Sequence, residues 1–298
     1  MTTPVSVAHP EDAVCVPSRP AVNLGLDHHP WFPISPCAAG CIEANATAGR
    51  MVVILRLIRL VLVIALLATC ALVIVPMPRL VRRRFLRRAS KMILAAIGTT
   101  ISIDDRRPFA GETRGLLVAN HISFLDVVAL ASVHPAHFVA KSEVASMPVV
   151  SSIARRIGII PIERGSLRRL PDTVGAAVDR LHHDATVAVF PEGTTRCGQT
   201  MGSFRPAFFQ AAIDARVPVI PVRLTFTCAG ATSTAASFIG DDEPLDTLRR
   251  VLRTRGLTVT IRLYEAQLPG DGDRRELALR CERMVAGYGS SPEVALAA

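Results

Sequence analysis

The chain has 298 residues and a mass of 32.0 kDa, and half of its residues are hydrophobic while 20% are charged, which excludes a wholly disordered protein. The net charge is +9, but residues 50–91 alone contain ten basic and no acidic residues. Because the positive charge accompanies one apolar stretch, composition favours contact with an anionic membrane over binding of nucleic acid.

Residues 1–48 contain seven prolines and follow neither a helical nor a strand period, which predicts a disordered segment. No apolar run begins at the N-terminus, so we expect no secretory signal peptide. Met51 opens the following apolar run directly, and one alternative is that translation starts there. N-terminal sequencing of the native protein would decide this.

The seven cysteines are odd in number and scattered, unlike those of a disulfide-stapled domain. Cys37 and Cys41 could supply half of a metal site with His28 and His29. No second pair stands at zinc spacing, so the sequence predicts no metal site. We interpret the cysteines as incidental thiols of a reduced compartment or of an unstructured tail.

Residues 60–77 are 18 uncharged residues, enough for a helix of about 27 Å, which is close to the thickness of the bilayer hydrocarbon. Apolar and basic residues then alternate at helical spacing; the basic ones are Arg79, Arg82, Arg83, Arg84, Arg87, Arg88 and Lys91. Residues 49–92 are therefore predicted to be a cell-membrane anchor, made of an apolar helix and a basic amphipathic helix on anionic lipid. If the apolar helix spans, the charge asymmetry places the rest of the chain on the cytoplasmic side. A re-entrant or interfacial pair of helices fits equally.

From residue 93 onward, short apolar runs alternate with helical stretches, which predicts an α/β domain over residues 93–290 and a tail over residues 291–298. Strands are predicted at 115–119, 137–140, 159–162, 186–190, 219–226 and 257–264. Helices are predicted at 124–132, 144–157, 171–181, 206–216, 245–254 and 274–285. The fold class is α/β, with a central, largely parallel or mixed sheet covered by helices on both faces.

His121 follows a predicted strand and precedes a helix, at the sheet edge where α/β folds place reactive groups. Asp126 can fold back so that its carboxylate meets Nδ1 of His121. This contact would fix the tautomer and leave Nε2 as a general base. The alternative is that Asp126 pairs locally and His121 is an ordinary loop residue.

Three further stretches carry polar groups at strand ends. Arg164 leaves a buried strand just before a turn, which suits capture of a phosphate, although a surface salt bridge is an alternative. Residues 190–196 run from a strand into Pro-Glu-Gly-Thr, and this turn would expose the Glu192 carboxylate and the Gly193 amide, unless it is merely structural. Residues 217–222 are an apolar strand with two prolines, typical by itself of an edge strand.

Together the four stretches resemble, in content and order, the motifs of the glycerolipid acyltransferase family, whose best known members are the 1-acyl-glycerol-3-phosphate acyltransferases. The resemblance covers residues 95–265. The N-H-x-S-x-x-D motif is matched by Asn120, His121, Ser123 and Asp126, the second motif by Ile162, Glu163 and Arg164, and the third and fourth by residues 190–194 and 217–222. Lys141 stands where the family usually has a lysine, and Arg196 replaces the serine that usually ends the third motif.

The resemblance implies a membrane-bound O-acyltransferase that moves a fatty acyl group from acyl-CoA or acyl carrier protein to 1-acyl-glycerol-3-phosphate, giving phosphatidic acid. His121, oriented by Asp126, would be the catalytic base and Arg164 would hold the phosphate. The other substrate-binding residues implied are Asn120, Ser123, Glu192, Gly193, Thr194 and Pro221. Neither a metal nor a bound cofactor is implied, and the expected partners are the lysolipid, the acyl thioester, anionic membrane lipids and acyl carrier protein, without nucleic acid.

Alternatives remain within and beyond this class. The acceptor could be another lysolipid, such as a lyso-ornithine lipid or a lysophospholipid under remodelling. The chain could also be an inactive lipid-binding membrane protein or a lipid hydrolase. Thioester consumption that depends on added lysolipid would separate a transferase from both.

Overall fold

The computed structural model describes residues 35–43, 46–108, 114–142, 158–163, 167–183, 185–240, 242–270 and 272–287. The strands are β1 (Thr100–Asp105), β2 (Leu116–Ala119), β3 (His137–Lys141), β4 (Ile160–Ile162), β5 (Val187–Val189), β6 (Val219–Cys228), β7 (Ala231–Thr232) and β8 (Leu257–Leu263). The α-helices are α1 (Arg50–Ile74), α2 (Arg79–Ala96), α3 (Leu125–Val133), α4 (Leu170–His182), α5 (Phe209–Asp214), α6 (Pro244–Arg253) and α7 (Arg274–Ala286).

These strands form one mixed sheet in the order β1-β8-β6-β2-β5-β3-β4, with β7 paired to β6. Strands β6, β2, β5, β3 and β4 run parallel, whereas β8 runs antiparallel to β6 and carries β1 parallel to itself. The predicted mixed sheet is confirmed. Because β2 and β5 are parallel neighbours, the segments that follow them emerge side by side at the same edge.

Two apolar cores cover the two faces of the sheet, as the buried strand β2 shows. Leu117 and Ala119 pack into a cluster with side chains of α2, α3 and α6. Leu116 and Val118 point to the opposite face, into a cluster with side chains of α4, α5 and α7. This alternation follows from the two-residue period of a strand and explains why β2 is apolar at every position.

Several predicted elements differ from the observed ones. The predicted helix at 206–216 is a short 3₁₀ turn, Pro206–Phe208, followed by the six-residue helix α5. Strand β1 was not predicted, because four of the six residues in its sequence TISIDD are polar. It forms nonetheless because β8 offers a parallel edge and Arg262 donates a 2.6 Å hydrogen bond to Asp104. The predicted helix at 144–157 lies outside the described residues.

The last part of the segment predicted to be disordered is instead attached to the domain. The backbone N–H of Glu43 donates to Oγ1 of Thr234 at 2.8 Å, and that of Ala48 donates to the carbonyl of Arg253 at 2.6 Å. Residues 35–43 and 46–48 therefore differ from the prediction. Their local sequence has no helical or strand period, but hydrogen bonds to distant backbone and side-chain partners hold them on the domain. Residues 1–34 and the predicted tail lie outside the described part of the chain.

An 18-residue window of helix α1 has a mean hydropathy of 2.9, and only 6% of this window is buried. Among the described residues, α1 is the one helix long and apolar enough to cross a membrane. It packs against α2 and, at its beginning, against the domain. Nη1 of Arg56 donates to the carbonyls of Leu252 and Thr254 at 2.7 and 2.8 Å, and Leu60 joins the core. Helix α2 lies against the same domain, since Arg79 donates to the carbonyl of His183 and Leu94 is fully buried.

Candidate active site

The loops that follow β2 and β5 are joined by two hydrogen bonds, each donated by a backbone N–H. The backbone N–H of His121 donates to Oε1 of Glu192 at 2.8 Å, and the backbone N–H of Arg196 donates to the carbonyl of His121 at 2.9 Å. The first and third motifs, about 70 residues apart in sequence, therefore form one structural unit at the carboxyl edge of the sheet.

The imidazole of His121 is held by a buried carboxylate. Nδ1 lies 2.8 Å from Oδ2 of Asp126, whose side chain is fully buried, whereas that of His121 is 16% exposed. The same oxygen accepts the backbone N–H groups of Ile122 and Ser123 at 2.5 and 2.9 Å. Because an ionised carboxylate only accepts hydrogen bonds, the proton of a neutral His121 ring belongs on Nδ1, and Nε2 is the basic nitrogen.

An aromatic ring that the sequence reasoning did not single out fixes the plane of this imidazole. Phe190, the first residue of the third motif, stacks on His121 with ring centroids 4.1 Å apart and an interplanar angle of 12°. Phe138 of β3 stacks in turn on Phe190 at 6.5 Å. The sequence signal that could have indicated this contact was the position of Phe190 directly after β5, the strand that neighbours β2.

Glu192 is buried, so the prediction that its carboxylate would be exposed is wrong. Oε1 accepts the N–H of His121, Oε2 accepts the N–H of Gly202 at 2.6 Å, and Nε of Arg196 lies 3.2 Å from Oε2. Burial raises the pKa of Glu192 to about 7, although these donors and the positive charge of Arg196 oppose the rise. Glu192 therefore braces the His121 loop, and the unexpected Arg196 partly compensates its buried charge.

Gly193 does not present a free amide, which corrects a second expectation. Its N–H donates to the carbonyl of Phe190 at 3.0 Å and closes the turn. Its φ of 76° lies in the left-handed region that favours glycine, which explains the residue type. Thr194 is half-buried beside it, and Oγ1 of Thr195 donates to the carbonyl of Phe238 at 2.5 Å.

Asn120 and Ser123 were expected to bind substrate. Both are buried, and their side chains form hydrogen bonds with the protein backbone instead. Nδ2 of Asn120 donates to the carbonyl of Leu224 at 3.0 Å, and Oδ1 accepts the N–H of Leu224 at 2.7 Å. Oγ of Ser123 accepts the N–H of Leu125, the first residue of α3, at 3.2 Å. Both side chains therefore shape the loop that presents His121, because their polar atoms face protein backbone.

Pro221 is buried in β6, which is a central strand and not the edge strand that its prolines suggested. It stands in register with Val118 of β2, and its carbonyl accepts the N–H of Tyr264 at 3.0 Å. Pairing of β6 with β8 begins only at Val222, so a residue without an N–H is tolerated at position 221.

The expected phosphate-binding residue, Arg164, lies outside the described residues. Its neighbour Glu163 is exposed and accepts a 2.6 Å hydrogen bond from Arg169. Lys141 is exposed at the end of β3. The role of Arg164 therefore rests on its motif position.

The structure adds a third thiol to the Cys37 and Cys41 pair. Cys197, in the loop after the third motif, lies with its Sγ within 4.8 Å of both. Sequence spacing could not reveal this contact, because 160 residues separate Cys37 from Cys197. His28 and His29 lie outside the described residues.

Comparison with known proteins gives concordant results. A sequence model of the family described as Acyltransferase matches residues 100–225. A lyso-ornithine lipid O-acyltransferase of Pseudomonas aeruginosa is 32% identical over 207 residues, which cover 68% of this chain and 78% of that protein. A 1-acyl-sn-glycerol-3-phosphate acyltransferase of Neisseria meningitidis is 32% identical over 181 residues, or 60% and 70% of the two chains. The crystal structure of the 1-acyl-sn-glycerophosphate acyltransferase of Thermotoga maritima shares the fold, with a TM-score of 0.59 at 18% identity over 81% of this chain and 97% of that one.

Proposed function

The chain belongs to the glycerolipid acyltransferase family and is an acyltransferase, and from this premise we propose that it transfers a fatty acyl group from an acyl thioester to the free hydroxyl of a lysolipid. The observation that carries the proposal is the 2.8 Å contact between Nδ1 of His121 and the fully buried carboxylate of Asp126. This pair is poised at the sheet edge where α/β folds place their chemistry.

In the proposed reaction, Nε2 of His121 removes the proton of the lysolipid hydroxyl as its oxygen attacks the thioester carbonyl. The carbon–sulfur bond then breaks, and the departing thiolate takes up the proton from the imidazolium. Asp126 stabilises the imidazolium between these steps, and general base catalysis of this kind contributes about 10²–10⁴ in rate. No covalent acyl-enzyme is required, so neither Ser123 nor a cysteine acts as nucleophile.

We propose 1-acyl-glycerol-3-phosphate as the acceptor and phosphatidic acid as the product, with Arg164 binding the phosphate. Support comes from the motif position of Arg164 and from the similarity to 1-acyl-sn-glycerol-3-phosphate acyltransferases. A lyso-ornithine lipid is the second candidate acceptor, which the similarity to the Pseudomonas aeruginosa protein favours. Arg164 would then meet a carboxylate or stabilise the fold.

An acceptor panel tests this function. Membranes that contain the protein are assayed with acyl-CoA and with acyl carrier protein as donors, against lysophosphatidate, lyso-ornithine lipid and a neutral lysophospholipid. The proposal predicts thioester consumption that depends on added lysophosphatidate. Consumption without any lysolipid would instead identify a hydrolase, and activity restricted to the ornithine lipid would favour the second acceptor.

We further propose that α1 and α2 hold the protein on the cytoplasmic face of the cell membrane as an interfacial pair. The apolar surface of α1 supplies hydrophobic burial in the membrane, and the arginines of α2 supply electrostatic attraction to anionic lipids. The beginning of α1 contacts the domain through Arg56, and α2 contacts it through Arg79 and Leu94. Both helices therefore lie on one domain. This arrangement supports an interfacial pair, because a helix α1 that spanned the bilayer would separate the ends of the two helices.

A further inference from the structure

Three cysteine side chains that the acyl-transfer chemistry does not use meet in one place. Cys37 and Cys197 are buried and Cys41 is half-buried, none of the three is in a disulfide, and their sulfur atoms lie within 4.8 Å of one another. Ile42 and Ile239 pack around them. We propose that Cys37, Cys41 and Cys197 bind a zinc ion that clamps the N-terminal segment, residues 35–43, to the loop that follows the third motif.

The spacing of the thiols fits such a site. Cys37 and Cys41 are separated by three residues, within the range of two to four that structural zinc sites use for their first ligand pair, and Cys41 ends the short 3₁₀ turn Ala39–Cys41. Zinc–sulfur bonds of about 2.3 Å at tetrahedral angles place the sulfur atoms about 3.8 Å apart. The three sulfurs therefore need to close by at most about 1 Å to reach this geometry.

The choice of metal follows from the ligands and their surroundings. Three thiolates select a soft or borderline ion such as zinc over magnesium, calcium or manganese, which prefer oxygen ligands. The backbone N–H of Cys197 lies 3.3 Å from Sγ of Cys37, in the position of an outer hydrogen bond that stabilises a metal-bound thiolate. A disulfide would pair two of the three sulfurs and leave the third thiol without a role.

Within the described residues the cluster supplies three ligands, so the fourth corner of a tetrahedron belongs to a further group. A water molecule is a ligand that zinc accepts at a fourth corner.

The site would act on the catalytic loop through its neighbours. Arg196, next to Cys197, donates its backbone N–H to the carbonyl of His121. Gln199 donates to Oε1 of Glu43 at 2.6 Å, a second tie between the same segment and the same loop. An ion on Cys197 would therefore hold the loop that positions His121 and Glu192, with a structural and not a chemical role.

Metal analysis of the full-length protein tests the proposal directly. The protein is produced in zinc-supplemented medium, purified without chelator or affinity tag for metals, and measured by mass spectrometry of its metals and by X-ray absorption. We expect about one zinc per chain with three sulfur ligands at about 2.3 Å. Fewer than about 0.1 zinc per chain after incubation with equimolar zinc, or a disulfide between any two of these cysteines, would overturn the proposal.

Variants separate ligands from incidental thiols. Cys37→Ser, Cys41→Ser and Cys197→Ser should each lower the zinc content at least tenfold, while Cys41→His, which keeps a ligand at a half-buried position, should retain it. Cys228→Ser is the matched control, because Cys228 is a half-buried cysteine whose thiol contacts the carbonyl of Arg255. Zinc that persists in the triple serine variant would overturn the assignment. Because the readout is metal content, its outcome is independent of the acyl-transfer assay.

Discussion

Glu192 accepts the backbone N–H of His121 at 2.8 Å, so the buried acid of the third motif holds the residue of the first motif that carries the chemistry. Its other oxygen accepts the N–H of Gly202 at 2.6 Å. A buried carboxylate is costly unless its oxygens are satisfied, and here two backbone N–H groups donate to them while the guanidinium of Arg196 lies 3.2 Å from Oε2 as an ion pair. The Pro-Glu-Gly-Thr turn thus has a structural role, holding the backbone of His121, that does not require contact with substrate.

The raised pKa of Glu192 predicts a specific pH dependence of stability. Burial raises this pKa from 4.5 to about 7, so the unfolded chain releases the proton at lower pH than the folded one. The contribution of Glu192 to stability is therefore complete below the unfolded pKa and is lost as the pH rises through about 7. We expect the melting temperature of the wild type, measured in detergent, to fall between about pH 5 and pH 8 more steeply than that of Glu192→Gln.

The exposed Glu163 provides the control for this experiment. Glu163→Gln should follow the wild-type curve, because this side chain lies at the surface and the change removes no buried group. Parallel curves for the wild type and Glu192→Gln would contradict the role of burial.

Asn120 is predicted to act on stability and not on acceptor binding. Asn120→Ala removes both hydrogen bonds to the backbone of Leu224. The buried N–H and carbonyl of Leu224 are then unsatisfied, at a cost of about 1–3 kcal/mol for each group. Thermal unfolding should therefore begin at lower temperature, while the acceptor KM at a permissive temperature should stay within about twofold of wild type. An acceptor KM raised tenfold at unchanged melting temperature would restore the substrate-binding role.

Arg164 is predicted to act on the acceptor alone. Arg164→Ala should raise the KM for lysophosphatidate at least about tenfold, because hydrogen bonds to charged groups contribute about 1.5–3 kcal/mol, and should leave the thioester KM nearly unchanged. Arg164→Lys should recover only part, since an ammonium group lacks the bidentate geometry. Arg168→Ala, at an exposed arginine nearby, is the matched control. Wild-type protein that acylates lyso-ornithine lipid but ignores lysophosphatidate would exclude a phosphate acceptor.

The anchor is predicted to resist salt. Each basic side chain near an anionic surface contributes only about 1 kcal/mol, whereas the apolar face of α1 contributes binding that ionic strength does not weaken. In a flotation assay, high salt should leave most of the wild-type protein on vesicles, and Arg84→Gln with Arg88→Gln should weaken binding to anionic vesicles selectively. Complete release of the wild type by salt alone would argue against burial of α1 in lipid.

The site was predictable where the signal is local. The pairing of His121 with Asp126 follows from five residues of spacing at a helix start, and the sheet follows from alternating strands and helices. The burial of Glu192 was not predictable, since its partners stand 71 residues before it and ten residues after it. Cys37 and Cys197 meet across 160 residues for the same reason. Contacts between distant segments depend on the order of strands in the sheet, which hydrophobic periodicity does not encode.

The rate of acyl transfer by His121→Ala tests directly whether His121 is the general base. The variant, Asp126→Asn and the control His182→Ala, at an exposed histidine ending α4, are compared with wild type in membranes at equal protein amount. We expect a loss of about 10²–10⁴ in turnover for His121→Ala, a loss nearly as large for Asp126→Asn, and unchanged activity for the control. Membrane association and melting temperature of His121→Ala should stay near wild type. Retention of more than about a tenth of wild-type turnover by His121→Ala would contradict the general-base role.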